Sequence, residues 1–155
     1  MALSVPKKFL DEIRLQAEHD YPNETCGILV GPKDQKEIIT GIRPCRNVQD
    51  EYHALDSVGF PRKANAAYFI DSQNLVQIQR ENRQKGSEIR VIYHSHVDAG
   101  AYFSEEDQRI ALSEGRPAYP GVAYLVVSVR EGKAGEAALF YWDEARKTFI
   151  QDKDR

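Results

Sequence analysis

The longest apolar stretch of the sequence, Gly121 to Val129, contains Ser128 and falls well short of the roughly 18 residues that a membrane-spanning helix needs. It has the length and branching of a buried strand. Gly27 to Gly31 and Ile89 to His96 have the same character, so the chain must assemble a sheet and cover it. The covers are legible as helical periodicities. Phe9, Leu10, Ile13 and Ala17 recur at helical spacing between Pro6 and Asp20; a second helix starts at Asp71 or Ser72 and runs to Lys85, where Gly86 stops it; Ser104 opens a third that ends near Gly115. Further strands are predicted at Glu37 to Arg43, Ala66 to Ile70, Ala137 to Trp142 and Thr148 to Gln151, with a turn over Glu131 to Gly135. Residues 44–65 are polar, rich in turn formers and irregular, a pattern of functional loops. The expectation is an α/β fold with a mixed β-sheet sandwiched by helices, and 155 residues make one domain over 1–155.

Charge narrows the function classes. The 21 Lys and Arg against 24 Asp and Glu give a net charge of −3, which disfavours nucleic acid as the main partner. No membrane partner is expected either. The amino terminus meets Lys7 and Lys8 before any apolar core of a signal peptide, so a cytoplasmic location is expected. Cys26 and Cys45 are too far apart for a CxxC site, and a disulfide between them is the minor reading in a reducing compartment.

The chemistry concentrates between His94 and Asp107. His94 and His96 stand at i and i+2 on a strand, so both imidazoles project from one face and can reach one ion. Gly100 lets the following loop turn back, and Asp107 in the first turn of the third helix can bring a carboxylate to the same face. Two neutral nitrogens and one carboxylate suit Zn²⁺ and leave a fourth position for water, as catalytic zinc requires. A plainer reading stands beside this one: Ser104 and Asp107 fit a helix N-cap whether or not a metal exists. Capping does not account for the two histidines. A metal hydrolase also needs a base, and Glu24, at the entrance of the first buried strand, stands out by position, though spacing alone fits a solvated turn residue.

Other classes that use these residue types fit less well. A cupin needs a later His, and none follows His96; a (β/α)₈ barrel needs about 250 residues. A zinc deaminase needs His-x-Glu with Pro-Cys-x-x-Cys, which is missing. A cysteine hydrolase pairing Cys26 with His94 leaves His96 and Asp107 without a role.

Glu24-Thr25-Cys26-Gly27-Ile28-Leu29-Val30-Gly31, then His94-x-His96, seven residues, and Ser104-x-x-Asp107 resemble the JAMM signature of the JAB/MPN metalloprotease family. The likeness extends over most of the chain and points to the prokaryotic single-domain branch. It implies an MPN, cytidine-deaminase-like architecture, with His94, His96 and Asp107 as ligands of one Zn²⁺ per domain, Glu24 as general acid/base and Ser104 as the hydroxyl that stabilises the oxyanion. It implies hydrolysis of a peptide or isopeptide bond after the carboxy-terminal Gly-Gly of a ubiquitin-like or sulfur-carrier protein, with a homodimer allowed. The alternative is an inactive MPN-like scaffold that binds partners. Val97 and Phe103 stand where the family commonly has Pro, or for Phe103 a small residue, which bears on the path of the 97–103 loop. Within that loop, Asp98 and Tyr102 either line the cleft or anchor the chain.

Overall fold

The computed structural model describes residues 3–153. Its elements are α1 (Lys7–Asp20), β1 (Cys26–Pro32), β2 (Gly41–Cys45), α2 (Gln49–Leu55), α3 (Ser72–Lys85), β3 (Ser87–Val97), α4 (Glu105–Ala111), β4 (Leu112–Ser113), β5 (Arg116–Pro117), β6 (Ala123–Arg130), β7 (Lys133–Asp143) and β8 (Thr148–Gln151). Six strands form one mixed sheet in the order β2-β1-β3-β6-β7-β8, and β4 with β5 makes a small separate ribbon. Only β3 and β6 run parallel; the other pairs are antiparallel.

Side-chain alternation divides the core between the two faces of this sheet. Leu29, Val91, Tyr93, Leu125, Val127 and Leu139 pack with Phe9 and Ile13 of α1. Ile28, Ile92, Tyr124, Val126 and Phe140 point the other way, against Ile78 of α3 and Ala111 of α4. The sheet is therefore covered by helices on both sides, as expected. Gly27 is required by this packing, because a Cβ there would overlap the Tyr93 ring. Tyr93 Oη in turn donates to Gln16 Oε1 at 2.6 Å, and Gln16 Nε2 donates to the Cys26 carbonyl at 2.9 Å, which ties α1 to β1. Among the described residues, no helix is long and apolar enough to cross a membrane.

Five elements differ from the sequence reading, each for a local reason. β2 starts at Gly41 rather than Glu37 because the buried Arg90 guanidinium claims carbonyls that a ladder would use, those of Pro32, Gln35 and Ile38. The 44–65 segment contains the short helix α2. Residues 66–70 are not a strand, only Ile70 bridging to Asn47, since the Asn47 side chain takes the Ala67 carbonyl and the Phe69 N–H. The third helix stops at Ala111, because Glu114 and Gly115 both adopt positive φ in the tight turn of the β4-β5 ribbon. Glu131 and Gly132 do the same between β6 and β7, so β7 begins at Lys133 instead of Ala137.

Candidate metal centre

β3 carries both histidines toward the α3/α4 side of the sheet, where His94 stacks on Tyr68 with ring centroids 4.4 Å apart. α4 brings Asp107 to them from its first turn. His94 Nε2 lies 3.1 Å from Asp107 Oδ1, and His96 Nε2 lies 2.9 Å from Asp107 Oδ2. One ligand atom from each of the three residues falls within 4.8 Å of the others, and all three residues are buried.

Proton arithmetic decides what such a cluster needs. His96 Nδ1 is 3.0 Å from the Gly100 carbonyl, which can only accept, so Nδ1 carries the hydrogen. A neutral His96 then presents a lone pair at Nε2 to a carboxylate oxygen. Two acceptors at 2.9 Å repel unless a cation lies between them. His94 adds a second instance: it is fully buried, and neither ring nitrogen has a hydrogen-bond partner among the described residues. Its Nε2 is at hydrogen-bond distance from Asp107 but out of line for a bond. Orphaned buried nitrogens of this kind are costly, and a cation shared with Asp107 would satisfy Nε2. The residues therefore fit a metal ion, and His94, His96 and Asp107 are the group that could bind it.

Asp107 is also the third helical residue of a capping box. Asp107 N–H donates to Ser104 Oγ at 3.0 Å, and Ser104 N–H donates to Asp107 Oδ2 at 3.0 Å. The cap and the cluster share one carboxylate, so capping of α4 is compatible with a place for Asp107 in the cluster. The loop before the cap turns at Asp98, whose φ is 55°, not at Gly100 as expected. Gly100 contributes its carbonyl to His96 instead. Asp98 anchors the loop, accepting from Tyr21 Oη and Glu131 N–H at 2.8 Å each. Tyr102 lines the cleft, edge-on to His96 at 4.8 Å and 53% exposed. Phe103 packs among Tyr124, Phe140 and Phe149.

Glu24 is buried and lines a cavity of about 160 Å³ together with His96, Ser104, Asp107, Arg62 and Tyr102. Its Oε1 has no hydrogen-bond partner among the described residues. Burial, and next the Asp107 carboxylate, push the Glu24 carboxyl well above its ordinary value of 4.5, against a smaller pull from Arg62. The solvated-turn reading of Glu24 is thus overturned by its surroundings.

Several residues that position Glu24 escaped the sequence reading. Ser95, between the two histidines but pointing to the opposite face, accepts from Thr25 N–H at 2.7 Å and returns its own N–H to the Thr25 carbonyl. Asn47 Nδ2 donates to the Glu24 carbonyl at 3.0 Å and to that of Ala67 at 3.2 Å, while its Oδ1 accepts from Gln49 and Phe69. Glu24 N–H donates to the Ala64 carbonyl at 2.8 Å. The polar 44–65 segment reads in the sequence only as a functional loop, and a lone Asn within it carries no signal of such a hub.

The cysteines are excluded as nucleophiles. Cys26 and Cys45 face each other in register across β1 and β2, both buried and both free. Burial drives the Cys26 thiol well above its usual range and the Cys45 thiol up to about 11.

Known proteins resemble this chain in sequence and in fold. A family model described as prokaryotic homologs of the JAB domain matches residues 6–142, a span that includes Glu24, His94, His96, Ser104 and Asp107. The CysO-cysteine peptidases of Mycobacterium tuberculosis and Mycobacterium bovis are each 28% identical over 115 residues, covering 74% of this chain. The chain spans 65% of the length of those relatives. Among solved structures, a Desulfitobacterium hafniense protein superposes with a TM-score of 0.68 at 22% identity, covering 94% of this chain and 86% of its own. A Salinibacter ruber protein gives 0.63 at 23% identity, with 96% and 87% covered. These two likenesses concern the fold alone. With the family model spanning every element from α1 to β7, the chain belongs to the prokaryotic JAB-domain family.

Proposed function

We propose that the chain is a zinc-dependent hydrolase of the peptide or isopeptide bond that follows the carboxy-terminal Gly-Gly of a ubiquitin-like sulfur-carrier protein. The observation that carries this reading is the facing of His96 Nε2 and Asp107 Oδ2 across 2.9 Å, in a cavity whose wall also holds the Glu24 carboxyl. His94, His96 and Asp107 would hold one Zn²⁺, since two imidazoles and a carboxylate are a catalytic zinc donor set. Bound there, the ion supplies Lewis acidity, which acidifies water and polarises a carbonyl.

The remaining work falls to the chain's own side chains. Glu24 takes a proton from the attacking water and delivers it to the leaving nitrogen. The water oxygen bonds to the glycine carbonyl carbon, the C–N bond breaks, and with both protons of the water passed to the leaving nitrogen the products are a carboxylate and an ammonium. A carboxyl raised by burial suits both halves of that transfer, because it is a stronger base than an exposed carboxylate and can return the proton it takes. Ser104 Oγ already accepts from Asp107 N–H, which leaves its own hydroxyl proton to donate to the oxygen that gains charge. Tyr102 narrows the mouth beside His96, favouring residues without a Cβ next to the scissile bond. The Gly-Gly substrate class is supported by the motif's resemblance, and a peptidase role by the name of the mycobacterial relatives, CysO-cysteine peptidase.

The test is mass spectrometry of a ubiquitin-like carrier ending in Gly-Gly-Ala, incubated with zinc-loaded protein. The reading predicts release of the last residue by the wild type and not by Glu24→Gln. An intact carrier, with zinc bound, would leave a non-catalytic binding module.

A further inference from the structure

Among the residues lining the Glu24 cavity, Arg62 is the one Lys or Arg. Other cations near the site are committed: Arg109 holds Glu106 through Nε at 2.7 Å and Nη2 at 3.0 Å, and Arg46 pairs with Glu51 and Asp71. Arg62 makes no ion pair among the described residues, only a long Nη1 bond of 3.4 Å to the Ala66 carbonyl. Glu24 does not engage it either, since Glu24 Oε1 is unpartnered.

Yet the backbone that carries Arg62 is firmly placed. Gln49 Nε2 donates to the Arg62 carbonyl at 2.9 Å, Asp50 accepts from Ala64 N–H at 2.7 Å, and the Ala64 carbonyl accepts from Glu24 N–H. The Tyr52, Phe60 and Phe69 rings pack this segment onto α2. An exposed guanidinium on a fixed backbone beside a buried proton-transfer carboxyl is an arrangement for binding an anion, not for solvation.

We infer that Arg62 is a specificity residue that receives the α-carboxylate of the leaving group, so that the chain removes a single carboxy-terminal residue from its carrier. The inference rests on the hydrolase reading above and narrows it. Glu24 must face the leaving nitrogen to protonate it. In a terminal residue the carboxylate is separated from that nitrogen by one Cα, so an anion receptor next to Glu24 lies within its reach. In an isopeptide the leaving nitrogen is a lysine Nζ with four methylenes behind it and no carboxylate nearby. Arg62 thus favours terminal residues over isopeptides.

The experiment compares one ubiquitin-like carrier ending in Gly-Gly-Ala, made with a free carboxylate and as the carboxamide. Turnover is measured with zinc-loaded wild type, Arg62→Gln and Arg62→Lys, and affinity for both carriers is measured by calorimetry on the metal-free proteins. Melting curves check that the variants fold. A charge-assisted, two-pronged contact predicts that wild type prefers the carboxylate by about 10- to 100-fold in kcat/KM, with a preference of the same sign in Kd. The preference falls to about one in Arg62→Gln and is partly kept in Arg62→Lys. Equal use of both carriers by wild type overturns the inference, as does a preference that survives in Arg62→Gln. A loss in Arg62→Gln that is equal for both carriers also overturns it, and shows that Arg62 acts only on Glu24. If zinc-loaded protein cleaves neither carrier, the hydrolase reading fails, and the Kd ratio alone then upholds or overturns the anion-receptor role.

Discussion

His96 Nε2 lies 2.9 Å from Asp107 Oδ2 while His96 Nδ1 faces the Gly100 carbonyl, so a neutral imidazole meets the carboxylate with a lone pair. A metal ion bound between them would remove that repulsion. His96→Ala and His94→Ala should therefore weaken metal binding by more than the roughly 10- to 100-fold that loss of an outer partner costs. Elemental analysis after dialysis reads this directly. In the wild type, metal at 100 times its Kd should add about 2.7 kcal/mol to stability, and neither variant should show the corresponding rise in Tm. A His96→Ala protein that retains one equivalent of metal contradicts the ligand assignment.

Glu24 has the opposite sign of linkage from an ordinary paired carboxylate. Its carboxyl is raised in the fold, so below pH 4.5 both folded and unfolded states are protonated and it costs nothing. As pH climbs past 4.5 the unfolded chain ionises first, and the metal-free fold loses stability until the folded carboxyl ionises as well. Metal-free Glu24→Gln should then melt above metal-free wild type at pH 7–8, with the gap closing below about pH 4.5. Bound metal should narrow the gap, because a nearby positive charge favours the carboxylate. In turnover the same variant should lose about 10²-fold or more while keeping its metal. Melting curves across pH, with and without chelator, check the first claim.

Ser104 caps α4, the proposed mechanism gives it a second role as an oxyanion donor, and one substitution separates their sizes. Loss of the cap in Ser104→Ala should cost about 0.5–2 kcal/mol of stability. Loss of the donor to the oxyanion should lower kcat by about 10²-fold with metal content nearly unchanged. Ser104→Thr keeps a hydroxyl and should recover part of both. Full turnover of folded Ser104→Ala protein would reduce Ser104 to a cap.

Asn47 joins the Glu24 carbonyl to the 67–69 segment and to α2 through four hydrogen bonds. Asn47→Ala strands several of these groups, and should cost about 1–3 kcal/mol for each one left without a partner or water. Because Glu24 shifts with its backbone, kcat should fall while metal binding, which depends on β3 and α4, stays close to wild type. Denaturant melts and metal titration on the same preparation distinguish this from general unfolding.

The strands most buried in the fold were the ones most legible in the sequence, because apolar runs such as Ile28 to Val30 and Val122 to Val127 have one physical use. The histidine pair was legible for a similar reason, since period two puts His94 and His96 on one face whatever follows. Where side chains replace backbone partners the pattern fails. Arg90 saturates the carbonyls around Ile38 and shortens β2, and Asn47 does the same for the 66–70 segment, and neither substitution of partner leaves a trace in local propensity. The burial of Glu24 was equally hidden, because it is created by the 62–66 segment folding over it from about 40 residues downstream.

The most direct test of the account is a zinc titration of metal-stripped protein, with turnover of a Gly-Gly-Ala carrier as the readout. Activity should be absent without metal, rise in proportion to added Zn²⁺ and level off at one equivalent per chain, with His96→Ala silent throughout. Turnover by the stripped protein in the presence of chelator, or none at all once one equivalent of zinc is bound, would contradict it.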